Sequence, residues 1–107
     1  MIIMNIKVFT KGRNGYDAVG IYDGKGVTVK KGSVISNVTA AKVNPIVSKL
    51  RSDKTVVSAD FVVLKDVKFR SPSTAATFVT GNISNGMRVW KVSEGKDLGK
   101  YREEANG

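Results

Sequence analysis

Phe69 to Val92, FRSPSTAATFVTGNISNGMRVWKV, holds a helix start, a helix stop, a turn signal and the chain's one tryptophan. Ser71 before Pro72 is the pairing expected at a helix N-terminus: the serine oxygen accepts an orphan N–H, and proline at the first helical position lacks the N–H that would have no partner. Ala75, Ala76 and Val79, with Phe78 alongside, are spaced to face a core, and Gly81 offers a left-handed stop. The reading is a short helix buried on one side. Asn85-Gly86 suits a positive-φ reversal, after which Met87 to Val92 read as a strand. Arg88, Trp90 and Val92 then point one way and Met87, Val89 and Lys91 the other. Ser71, Pro72, Ser73, Gly81, Asn85 and Gly86 are the structural motif of this unit.

Upstream, Ile3 to Phe9 alternate as a strand does, and the pattern returns at Tyr16 to Tyr22 after a KGRNG loop whose Gly12, Asn14 and Gly15 suit positive φ. Asp23-Gly24-Lys25-Gly26 offers a second tight turn before Val27-Thr28-Val29, which predicts an N-terminal antiparallel meander ending at Lys30-Lys31-Gly32-Ser33. Val34-Ile35 is strand-like. Asn44 and Pro45 open a short helix through about Arg51, with Ile46, Val47 and Leu50 on one face. Val56-Val57 and Phe61 to Leu64 are apolar and mostly β-branched, and Lys65-Asp66 can turn the chain into Val67-Lys68-Phe69, a second hairpin. The prediction is a small single α+β domain over residues 1–107, its helices and Trp-bearing strand packed on one sheet.

At 107 residues, with 41% hydrophobic and 25% charged positions, the chain can bury one core without staples. It has no Cys and no His, which excludes thiolate nucleophiles, disulfides, zinc held by sulfur or imidazole, and the commonest general base at neutral pH. The opening MIIMNIKVF is interrupted by Asn5 and Lys7 and is too short for a bilayer span, so no membrane and a cytoplasmic setting are expected.

Few catalytic constellations can be assembled. Gly20-Ile21-Tyr22 resembles half of a GIY-YIG nuclease motif, but no Tyr-Ile-Gly follows. Gly81 to Gly86 has the interval of a phosphate loop, but Met87 stands where lysine is needed. Asp60 with Asp66, and Glu94 with Asp97, come without further ligands or a nucleophile, and Ser71, Ser73 and Ser84 have no histidine to activate them. No catalytic residue, metal or cofactor is expected.

Charge is the stronger signal. Eighteen Lys and Arg against 9 acidic residues give a formal charge of +9, with a sequence pI near 10.0, the balance of a polyanion binder. Lys68, Arg70, Arg88, Lys91 and Lys96 lie around Trp90 in the sequence, with Lys30 and Lys31 expected on the same surface. Cations neutralise phosphates and an exposed indole can stack on a base, so these eight residues are the candidate nucleic-acid site. The alternative is that Trp90 fills the core while the lysines serve solubility.

The segment from Phe69 to Tyr101 resembles a small bacterial family of unknown function often found behind GIY-YIG nuclease domains. The likeness rests on Phe69, Ser71-Pro72-Ser73, Ala75-Ala76, Gly81, Asn85-Gly86, Trp90-Lys91 and Gly95 to Leu98, and extends upstream through AVGIYDGKGVTVKKGSVIS. It makes residues 16–101 the family-like core, 1–15 an added strand and loop, and 102–107 a loose C-terminus. The same helix, Asn-Gly turn and Trp strand also resemble the restriction-enzyme adenine-methylase-associated domain, although Met87 stands where that domain often has an aromatic residue. This second resemblance implies DNA modification or defence as the setting. The expectation is a non-catalytic module that contacts the DNA backbone and serves a nuclease or methylase partner protein. The competing expectation is a protein-interaction scaffold.

Overall fold

The computed structural model describes residues 5–12, 15–40 and 42–106. The expected strand start at Ile3, Asn14 of the first loop and Gly107 lie outside the described residues. Within them the chain is α+β, with six strands in one sheet and four short helices. The strands are β1 (Ile6–Lys11), β2 (Asp17–Tyr22), β3 (Val27–Val29), β4 (Val67–Phe69), β5 (Lys91–Ser93) and β6 (Lys96–Asp97), in the spatial order β4-β3-β2-β1-β5-β6. Every pairing is antiparallel. The N-terminal meander is present as expected. The second hairpin is not: Val57 bridges Val63, Val34 bridges Val62, and β4 pairs with β3 instead. The chain reverses at Ser58, whose Oγ accepts the N–H groups of Asp60 and Val62, while Asp66 is engaged by Lys30 and the Lys31 N–H and so makes no turn of its own.

The helices are α1 (Pro45–Ser52), α2 (Pro72–Thr80), α3 (Gly86–Val89) and α4 (Leu98–Asn106). Asn44 and Ser71 cap α1 and α2 as their sequences predict, accepting from the N–H of Ile46 at 2.8 Å and of Thr74 at 3.1 Å. Ile46, expected on the inner face of α1, is 67% exposed. Val47, Leu50 and Arg51 share the inward face instead, an i, i+3, i+4 set. The expected loose C-terminus is helical, since residues 102–106 continue α4.

The core fills one side of the sheet. Val8, Ala18, Tyr22, Val27, Val29, Val67 and Phe69 alternate to the same face and join Ala75, Ala76, Phe78, Val79, Trp90 and Leu98. Rather than burying one side, α2 is buried along Ala75 to Thr80, so its C-terminal carbonyls need partners that water cannot supply. The segment 36–40 and α1 provide them. Val79 O accepts from the Ser36 N–H, Thr80 O from the Ser36 hydroxyl, Gly81 O from the Ala40 N–H, and Phe78 O from the Arg51 guanidinium. Gly81 permits this closeness twice over: its φ is 79°, and a Cβ there would meet Val38 O at 1.7 Å.

Candidate functional site

The eight candidate nucleic-acid residues do not form the expected surface. Trp90 is fully buried, and its indole Nε1–H donates to Pro72 O at 3.1 Å, so it cannot stack on a base. The cause lies at Asn85-Gly86. Instead of reversing the chain into a strand, Asn85 caps α3, its Oδ1 accepting the Met87 N–H, and Trp90 follows as the C-cap, turned inward. Gly86 has no positive φ; its missing side chain matters because a Cβ would meet the Pro72 carbonyl carbon at 2.1 Å. The Gly86 N–H donates to Ser73 Oγ at 3.0 Å. Ser71, Pro72, Ser73, Asn85, Gly86 and Trp90 therefore make one interlock between α2 and α3, and the density of signals in that stretch serves packing.

The cations divide. Lys96 pairs with Glu104 and sits 5.9 Å from the centre of the Tyr101 ring, towards α4. Arg88 lines an open cleft with Asn85, Met87, Asp97, Lys100 and Glu103, where acids offset its charge. Arg70 lies by a groove of about 280 Å³ between α1 and β4, beside Ile46, Leu50 and Phe69. Lys31 is exposed in the turn after β3. The surface expected around Trp90 is absent because the residues nearest to it in sequence are distributed over α3, β5, β6 and β4, and β4 lies at the opposite edge of the sheet.

Lys30, Lys68 and Lys91 share one face of the sheet, the face opposite the core, with Lys68 and Lys91 separated by β3, β2 and β1. In β1, Val8 and Thr10 are buried, so Lys7, Phe9 and Lys11 alternate outward. Phe9 stands opposite Val19 on β2 and Lys91 on β5, and Lys7 opposite Ile21. Ile21 stands opposite Thr28, and Thr28 opposite Lys68. Lys30, whose N–H donates to Val19 O, extends the row of Val19 and Phe9. The result is a partly exposed apolar strip of Phe9, Val19 and Ile21, ringed by Lys7, Lys11, Lys30, Lys68 and Lys91. Acids enter at its rim: Asp66 accepts from Lys30 at 2.8 Å, Asp23 lies 3.8 Å from Lys68, and Asp17 is opposite Lys11. Lys7, Phe9 and Lys11 were missed from the sequence. Their alternation was legible, but not which side the helices would leave open.

Several of the carboxylates have structural roles. The Lys30 side chain, followed by the Lys31 N–H, holds the Asp66 carboxyl below its ordinary value. The N–H groups of Gly26 and then Lys25 do the same for Asp23. Asp97 accepts the Lys100 N–H at the start of α4. Among the described residues no group of three or more acidic side chains could hold a metal ion, and no helix is long and apolar enough to cross a membrane.

No curated protein and no solved structure matches the chain. A family model does, over residues 8–102, a match that takes in part of β1. With α2, the Asn85 cap and Trp90 all inside that span, the chain belongs to the family described as Domain of unknown function (DUF4357).

Proposed function

We propose that the chain is a non-catalytic nucleic-acid-binding module that holds a phosphate backbone on the open face of its sheet. In this reading it is an accessory to a nuclease or methylase of a bacterial DNA-modification or defence system and works in the cytoplasm. The supporting observation is the set of lysines, Lys7, Lys11, Lys30, Lys68 and Lys91, that the strand register collects on the uncovered face of a chain with net charge +9. Each Lys that neutralises a phosphate releases counterions, so affinity falls with salt. If Lys7, Lys11, Lys68 and Lys91 each take one phosphate, the log–log slope on duplex DNA is about −3.6. Titrating the full chain with DNA between low and moderate salt measures it. Lys7→Glu with Lys91→Glu flattens the slope and weakens binding, while Lys54→Glu, in the exposed turn after α1, has little effect. A slope near zero, or equal effects from all three positions, ends the proposal.

The second reading, a protein-docking scaffold, is favoured by Ile46, 67% exposed above the groove that Leu50, Phe69, Lys68 and Arg70 line. Ile46→Ala, which removes the exposed apolar side chain without adding charge beside Lys68, then weakens capture by a partner enzyme while leaving DNA titrations unchanged.

A further inference from the structure

Resting on that reading, we infer that the open sheet face takes single-stranded nucleic acid, with one base stacked on the ring of Phe9 and the flanking phosphates held by Lys7, Lys11 and Lys91. Phe9 belongs to no part of the buried core, although it occupies the middle of β1, with β2 on one side and β5 on the other. The ring pairs with Val19 across the two strands and stays partly exposed on the open face. Its surroundings are those of a stacking platform: Lys7 and Lys11 at two positions before and after it, Lys91 directly across, and Val19 on the other side. Lys7 and Lys11 are about 13 Å apart along the strand, so a polyanion laid along β1 meets cation, ring and cation in order.

A duplex cannot use this arrangement well. Its bases are stacked on one another, leaving phosphates and groove edges to face the sheet, and the apolar strip of Phe9, Val19 and Ile21 would lie against polar backbone. A single strand presents base faces, and stacking on an aromatic tolerates any base. A second copy of the chain is a poor occupant, because the same lysines would confront one another across the contact.

The test uses the full chain with a fluorescently labelled 15-nucleotide single strand and the corresponding duplex. Four proteins are compared: wild type, Phe9→Ala, Phe9→Leu and Phe9→Tyr. Leucine keeps an apolar side chain without a π face, so it separates stacking from fold, and circular dichroism confirms that each variant is folded. The expected result is tighter binding of the single strand. Phe9→Ala and Phe9→Leu both lose about tenfold on it and almost nothing on the duplex, and Phe9→Tyr retains affinity. If salt-sensitive binding is the same for both nucleic acids and indifferent to Phe9, stacking is wrong while the cationic face stands. If neither is bound at low salt, both readings fall.

Discussion

Arg51 is withdrawn from water at the end of α1, and every partner it meets is a neutral oxygen. Its Nε donates to Thr39 Oγ1 at 2.9 Å and its terminal nitrogens to the carbonyls of Phe78, Ser36 and Val38 at 2.5, 2.6 and 3.0 Å. Burial lowers its pKa, yet a guanidinium stays charged throughout the ordinary pH range. What compensates the desolvation is the partial negative charge at the C-terminus of α2 together with the planar fork of donors. Removing it would leave several buried carbonyls without donors. Arg51→Met is therefore expected to cost about 3 kcal/mol in urea unfolding. Arg51→Lys recovers only part of that, since one ammonium cannot reach the same span of oxygens. Equal stability of Arg51→Met and wild type would show that the carbonyls find other donors.

The interlock of α2 with α3 works at the scale of elements. Ser71 caps α2 by accepting the Thr74 N–H, and Ser71→Ala is expected to cost about 1 kcal/mol, read as a lowered thermal midpoint. Gly86→Ala is expected to cost more, about 2 to 3 kcal/mol, because the added methyl meets backbone atoms of Pro72 and Ser73, which cannot rotate aside. If α3 can shift outward, the cost of Gly86→Ala falls to that of the cap, and the Trp90 bond to Pro72 O loosens with it. Steady-state fluorescence separates these outcomes. With the indole sealed, emission is blue-shifted, poorly quenched by acrylamide, and unchanged on adding nucleic acid; quenching by nucleic acid would place the contact at Trp90 after all.

For the whole molecule, charge shapes both stability and binding. Asp66 and Asp23 have folded-state pKa values below the ordinary carboxylate value, so their ionised forms favour the fold. Their contribution is complete above an unfolded pKa of about 4. It is lost as pH falls through the lower folded values, while the lysines keep repelling one another. Stability is thus expected to fall on acidification below about pH 4, and Asp66→Asn to reduce the slope of that decline; an unchanged slope would mean that the Lys30 pair contributes nothing. On the open face the same acids temper the lysines. Asp66→Asn is therefore also expected to tighten nucleic-acid binding modestly, by releasing Lys30.

The sequence by itself determined what depends on near neighbours: the Asn44 and Ser71 caps, the Gly81 stop, the first meander and the excess of positive charge. A cap is settled within three residues, and an alternating strand declares two faces without saying which is covered. Only the tertiary structure decided that Asn85 caps a helix rather than turning a hairpin, that Trp90 lies inside, and that β4 joins β3. It also decided that Lys7, Phe9, Lys68 and Lys91 share one surface. Each of these follows from contacts between residues far apart in the chain, where the gain from packing outweighs local preference. Asn85-Gly86 is a good turn pair, but here the glycine is needed where α3 presses on Pro72, and that requirement exists only once both helices are in place.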